Sequence, residues 1–488
     1  MELLSPAGNV EKLKYGYIYG ADAVYIGLKN FSLRVKADNF YEDEYKKVCE
    51  LKKQFPGKKL HCALNIAFHN DEIDRLIQNI PYFKNYPIDA FIVQDLGIVP
   101  ILQKEFPKAA LHLSTQASCM NREAVKVYKS LGFSRVVMGR EASLKEIAEI
   151  KNSVPEMEIE CFVHGAMCIA YAGRCLMSAY LNGRSAQEGF CSHTCRWDYD
   201  VLASLGENAK QISESGNLVL REHKRPDEFF PVYEGENFTA VLSSKDLCMI
   251  DHLADLKNAG VDSLKIEGRM KSVYYVALIT RAYRKAIDAL EGKIPQEEAT
   301  PFVEELYKVS HRPFATGFYY NKSDADVAVS GASDSPFELS AEFGNELSLQ
   351  DENSILEKAA LNKKIRDEKY NSLCPEAKAA ADKRFAEHPD LNLPFVEKID
   401  GFKMYNFESL NMITKSTELE IVSPDTVAQK ILWGKDFVLV NPENGELYNW
   451  VCNGHPCVFY TKLKIQQGSL LRSKDPDYVE GKFRDSGR

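Results

Sequence analysis

The sequence predicts an α/β protein: a (β/α)8 barrel, then a helical insert, then a small C-terminal all-β, barrel-like domain. Three observations predict it. Short β-branched runs alternate with amphipathic stretches through the first three hundred of 488 residues, the spacing of βα units in a parallel sheet. Eight such runs occur, the number that closes a barrel of the TIM type. No glycine-rich GxGxxG turn follows the first run, which argues against a doubly wound dinucleotide fold.

Taken in order, the expected strands are 2–5, 23–26, 59–66, 90–93, 110–114, 135–138, 159–163 and 263–266. Between them 9–19, 42–54, 122–131 and 144–150 carry helical spacing. The stretch 274–292 reads as the closing amphipathic helix, ended by Gly292. A polar excursion at 202–237 interrupts the pattern and is expected to form a flap or hairpin over the barrel mouth. The barrel with this flap is assigned to 1–321. Residues 322–394 turn alanine-, lysine- and glutamate-rich and are expected to be a helical connector. Within 395–475, short β runs at 418–422, 437–440, 446–450 and 456–460 lie between turn signals and predict the small β domain. Residues 476–488 form a charged tail.

Composition narrows the function classes. Hydrophobic residues make up 45% and charged residues 27%, an ordinary globular balance that excludes disorder as the dominant state. The net charge of −9 argues against a binder basic over its whole surface, and leaves room for a local basic face. No apolar run approaches the roughly 18 residues that a membrane helix needs. The start lacks the basic flank and apolar stretch of a secretory signal. The expected location is the cytoplasm, with no membrane partner, where the twelve cysteines are thiols.

In such a barrel chemistry sits at strand C-termini and the loops that follow. The polar residues there are Ser5, Asn65, Gln94, Asp95, Ser114, Thr115, Gln116, Arg140, Glu141, His164, Glu267 and Arg269. Helix capping explains Ser5, Asn65 and Asp95 equally well. Gln116, Glu141, His164 and Glu267 are the candidate catalytic residues. The cysteines run Cys168-x6-Cys175-x15-Cys191-x3-Cys195, with Cys248 further on. This is neither a pair of zinc-ribbon knuckles nor a ferredoxin run. Four thiolates from separate loops can still converge on an iron–sulfur cluster or zinc. Buried free thiols are the alternative, and a nucleophilic cysteine served by His164 or His193 is a third reading. Arg174, Arg184 and Arg269 are candidates for holding an anionic substrate through bidentate hydrogen bonds. Solvated loop arginines are the plainer reading.

One set of motifs is distinctive: Glu2-Leu3-Leu4-Ser5-Pro6-Ala7-Gly8-Asn9, the run Tyr19 to Gly27, Ser114-Thr115-Gln116, and Phe162-Val163-His164-Gly165-Ala166-Met167-Cys168. Gly173-Arg174-Cys175, Ser243-Ser244-Lys245-Asp246-Leu247-Cys248 and the run Leu264 to Lys271 complete it. In this order they resemble peptidase family U32, the collagenase-like proteases, over residues 1–320 and more weakly over 396–473. The 322–394 insert departs from the family pattern. No Gly-x-Ser-x-Gly elbow or His-Glu-x-x-His helix accompanies the protease name. The resemblance instead implies an RNA hydroxylase branch, forming 5-hydroxyuridine at the tRNA wobble position without oxygen. It implies a prephenate-like dicarboxylate as hydroxyl donor, tRNA as partner, and a second U32-family protein as a further partner. It implies a 4Fe–4S cluster on Cys168, Cys175, Cys191 and Cys248, with zinc the alternative and Cys195 an uncertain fifth. A peptidase and a zinc-holding interaction scaffold are the other readings. In the β domain Lys462, Lys464, Arg472 and Lys474, with Tyr460 to stack on a base, are candidates for gripping RNA.

Overall fold

The computed structural model describes residues 1–28, 31–33, 39–168, 170–187, 190–192, 195, 244–320, 335–475 and 478, together with the short strands between 202 and 240. The chain divides into two compact units, one formed mainly by Met1–Asp334 and the other by Ser335–Tyr478.

In the first unit β1 (Glu2–Pro6), β2 (Ala23–Gly27), β3 (Lys59–Leu64), β4 (Ala90–Val93), β5 (Ala110–Leu113), β6 (Arg135–Val137) and β7 (Glu158–Ala166) are parallel neighbours in sequence order. After β8 (Asp246–Cys248) comes β9 (Ser263–Ile266), which pairs with β7 on one side and β1 on the other. The ring of eight parallel strands closes, as the spacing of the apolar runs predicts. The surrounding helices are α1 (Val10–Ile18), α2 (Glu44–Gln54), α3 (Asn70–Phe83), α4 (Val99–Glu105), α5 (Arg122–Ser130), α6 (Leu144–Ser153), α7 (Leu253–Asn258), α8 (Val273–Leu290) and α9 (Gln296–Leu306).

Local sequence explains where these helices begin. Asn9 caps α1 by accepting the Lys12 N–H, Ser272 caps α8 through Tyr275, and Ser143 with Glu146 forms a capping box on α6. The apolar face of α8 is buried along most of its length, and a 2.9 Å hydroxyl contact between Thr280 and Ser5 seats it on β1.

β8 is an accessory strand, antiparallel to the far end of β7, with Cys248 opposite His164 and Asp246 opposite Ala166. A short strand, β10 (Phe314–Ala315), extends it, and Arg312 locks the join by donating to Asp246 at 2.6 and 2.9 Å. The expected flap at 202–237 contains antiparallel pairs, Leu202–Leu205 with Asn208–Gln211 and Val219–Arg221 with Phe229–Pro231. The rest of that excursion lies outside the described residues, apart from a further short pair, Tyr233–Glu234 with Thr239–Ala240.

The second unit corrects the expected helical connector. Its first element, β11 (Phe337–Glu346), is a strand within 322–394, and residues 321–334 lie outside the described residues. β11 joins β12 (Lys403–Ser409), β13 (Leu419–Val422), β14 (Gln429–Ile431), β15 (Phe437–Val440), β16 (Cys457–Thr461) and β17 (Leu470–Lys474) in an antiparallel sheet ordered β14-β13-β17-β11-β12-β16-β15. The helices α10 (Leu349–Asn371) and α11 (Pro375–Glu387) are inserted between its first two strands. Ile355 and Ala359 of α10 pack with Met404, Val458 and Tyr460, whereas α11 buries no residue. The run expected at 446–450 makes only isolated bridges through Glu446 and Leu447, and pairing begins at Trp450–Val451. Phe459 lies at the centre of the core, its ring 4.5 Å from Phe437 and 5.0 Å from Phe343.

Two expected RNA contacts are corrected here. Tyr460 is buried with its hydroxyl donating to the Ile399 carbonyl, so it offers no face to a base. Arg472 is buried against Phe337 and paired with Glu420. Lys462, Lys464 and Lys474 are exposed.

Candidate active site

The strand C-termini frame a pocket of about 510 Å³, counting its open mouth, lined by Tyr25, Asn65, Thr115, Gln116, Arg140, Phe162, Lys265, Glu267, Arg269 and their neighbours. Three cations, Arg140, Lys265 and Arg269, face it against one carboxylate, Glu267. That is a positive pocket in an acidic chain. The Arg140 guanidinium lies 4.0 Å over the Phe162 ring and 3.6 Å from Glu267. Arg269 is buried and donates to Ser32 Oγ at 3.0 Å. Gly27 makes room for it, since a Cβ there would overlap the Arg269 guanidinium. Lys265 Nζ sits 2.8 Å from Glu160 and 4.5 Å over the Tyr25 ring.

Of the expected catalytic residues, Gln116 and Glu267 line the pocket. Glu141 and His164 do not. Glu141 accepts the Ala172 N–H at 3.1 Å and so acts as a strut for the loop beyond β7. His164 is buried against Tyr275, Tyr283 and Phe314, and burial pushes its pKa down to about 3, leaving it a neutral core group. Arg174 and Arg184 are exposed and outside the pocket lining, while Arg269 is within it. Among the described residues no histidine lines the pocket, so its described walls hold no nucleophile–histidine pair.

The cysteine loop is fastened to this mouth. Beyond β7 the chain passes exposed Cys168 and half-buried Cys175 and Cys191. Ser118 Oγ donates to the Ala172 carbonyl at 2.5 Å, and Gln187 Nε2 donates to the carbonyls of Gly173 and Cys175 at 2.9 and 3.3 Å. Gly173 has φ +72°, and a Cβ there would overlap the Gln116 carbonyl, so glycine is required where the loop touches a pocket residue. Cys248 enters from β8, buried, its sulfur 3.9 Å from the Tyr283 hydroxyl, and burial pushes its thiol up to about 11. Cys195 is half-buried, and His193 lies outside the described residues.

These four cysteines are free thiols, a soft donor set suited to zinc or iron–sulfur chemistry. One zinc bound at about 2.3 Å by each sulfur would draw the four close together. Among the described residues the ligand atoms that gather in a group within 4.8 Å are those of His61, His112 and Glu160, and the cysteines form no such group.

The histidine–glutamate group belongs to the barrel interior below the pocket. Glu2, His61, His112 and Glu160 come from the alternate strands β1, β3, β5 and β7, where branched aliphatic side chains usually form a layer. Arg135 Nη1 binds Glu2 and Glu160 at 2.5 and 2.9 Å. Burial alone would raise the pKa of Glu160, but Lys265 and Arg135 hold it down to about 2. Burial lowers His61 to about 4 and His112 well below its usual value, so both rings, 4.8 Å apart, are neutral. Arg135 and Lys265 already occupy these carboxylates, and a metal dication there would be repelled by both.

Lys265, within the motif run Leu264 to Lys271, and this interior layer are not among the expected site residues. Ser263, Lys265 and Glu267 recur with period two along a strand run, the signal that one face of β9 is polar.

A closed (β/α)8 barrel with a cationic mouth and a thiol-bearing loop fixed to its rim has the build of a barrel enzyme. The chain belongs to Peptidase family U32, whose profile matches residues 8–328. It is 39% identical over 337 residues to the tRNA hydroxylation protein P of Escherichia coli K12, covering 65% of this chain and 74% of that one. It is 40% identical over 322 residues to tRNA hydroxylation protein P1 of Bacillus subtilis 168, covering 65% and 70%. With the 23S rRNA 5-hydroxycytidine C2501 synthase of E. coli K12 it shares 34% identity over 343 residues, 69% of this chain and 47% of that protein.

Proposed function

We propose that this chain is an RNA-hydroxylating enzyme that forms 5-hydroxyuridine at the tRNA wobble position, with a prephenate-like dicarboxylate as hydroxyl donor. The observation that carries this reading is the shared wall at Gln116, which lines a cationic pocket while its carbonyl abuts the loop that bears Cys175. The hydroxylation names of the relatives support the reaction class. Exchanging C5–H for C5–OH oxidises the base by two electrons, so the donor that surrenders its hydroxyl is reduced.

Arg140 and Arg269 supply forked N–H donors for the carboxylates of the donor molecule. The Phe162 ring beneath Arg140 holds the guanidinium flat against the pocket wall. Glu267, half-buried beside Arg140, is the carboxylate placed to accept or return a proton inside the pocket. Cys168, Cys175, Cys191 and Cys248 would hold a 4Fe–4S cluster, which supplies electron-transfer or Lewis-acid chemistry when bound.

Removing the gene is expected to convert 5-hydroxyuridine-type nucleosides in tRNA to unmodified uridine, as read by mass spectrometry of digested tRNA. Unaltered nucleosides overturn the assignment. In protein purified without oxygen, Cys175→Ala is expected to lose iron and acid-labile sulfide, whereas Cys452→Ala, in the other unit, keeps them. Equal iron in the two variants refutes the ligand set.

A further inference from the structure

We infer that Lys265 anchors one carboxylate of the small co-substrate at the pocket floor, and that Glu160 sets the strength of that anchor. The inference rests on the hydroxylation reading above. Lys265 is 4% exposed yet lines the pocket, an ammonium brought in from β9 to a place that an apolar strand residue would ordinarily fill. Its head carries three N–H donors. Among the described residues Glu160 is the only carboxylate in ion-pair range, at 2.8 Å. Glu160 is not committed to Lys265 alone, because its other oxygen binds Arg135 at 2.9 Å. Glu160 takes one of the ammonium's donors and holds it in position, which leaves N–H donors for an anion in the pocket.

The walls around it narrow the ligand. The rings of Tyr25 and Phe162 lie 4.5 and 5.4 Å from Nζ, so the surface beside the ammonium is aromatic. Arg140 and Arg269 place further cations in the same pocket. A small dicarboxylate with an apolar or ring-shaped body meets all three features, one carboxylate on Lys265 and the other on the arginines.

The test must separate recognition from the upkeep of a buried charge pair. Lys265→Met alone strips a counter-ion from a buried carboxylate and threatens the fold. Lys265→Met/Glu160→Gln removes both charges together and keeps Arg135 an oxygen to bind. With full-length protein purified without oxygen and prephenate as the probe in calorimetry, this double variant is expected to bind about tenfold more weakly, the loss of one charge-assisted hydrogen bond. Its tRNA affinity and iron content are expected to match the wild type. Glu160→Gln alone is expected to bind prephenate more tightly, since the ammonium no longer shares its charge. Opposite movements of the two variants cannot come from a merely structural role. A double variant that binds prephenate as the wild type does overturns the Lys265 assignment and leaves the function standing. Wild-type protein that ignores prephenate, together with unaltered tRNA in the deletion strain, overturns the function as well.

Discussion

His61, His112 and His164 are buried neutral, and their proton affinities fix how the protein responds to acid. Each has a native pKa below the unfolded value of about 6.5. The unfolded chain therefore binds more protons below that pH, and stability falls as pH drops through about 6.5 while staying level above it. Each such histidine costs roughly 1.4 kcal/mol per pH unit until its native value is reached. Glu2 and Glu160, held near 2 by their cations against the pull of burial, add to the loss only below about 4.3, where the unfolded carboxylates protonate. Thermal unfolding between pH 7.5 and 4.5 is expected to show a steep decline that flattens in His61→Phe/His112→Phe, and an equal slope in both proteins refutes the account. At this scale the sequence is an ambiguous guide. Glu141 and Glu267 occupy like positions after strands, but the fold aims one at a loop N–H and the other at the pocket. His164 lies at a strand end, and only the packing of α8 and β10 shows that it is sealed away.

Among the elements, the loop after β7 is held by polar contacts to the barrel rim rather than by a core of its own. Gly173→Ala puts a Cβ into the Gln116 carbonyl and strains a left-handed residue, at a cost of about 1 kcal/mol or more. The expected result is faster amide exchange around Ala172 and less bound iron, with the barrel's melting temperature nearly unchanged. A variant whose loop stays as protected as the wild type contradicts the strut arrangement. The eight barrel strands were legible because buried parallel strands are dense in β-branched and aliphatic residues. β11 was not, because the short alternation of Leu339, Ala341 and Phe343 with Glu338, Ser340 and Glu342 borders a long alanine- and lysine-rich stretch that dominates the composition. Its β character comes from partners remote in sequence, β12 and β17.

For the whole molecule, Ser335–Tyr478 has an aromatic core of its own and should fold when expressed alone. A single cooperative unfolding transition by circular dichroism is expected, and a non-cooperative melt would show that the unit depends on the barrel. The barrel's closure was legible from the count and spacing of strands, and the boundary at Ser335 was not, since the shift in composition begins at 322, thirteen residues earlier. The strand order of the second sheet bears on how the protein is made. β17, the last strand of this sheet in chain order, lies between β13 and β11. On the ribosome, a β13–β14 ribbon and a β11-β12-β16-β15 group therefore emerge with facing unpaired edges, and the join must wait for the final strand to slide between them. Until then those edges are open to pairing with other nascent chains. Loss of Leu470–Lys474 would leave the gap permanent, and its heaviest penalty would be aggregation.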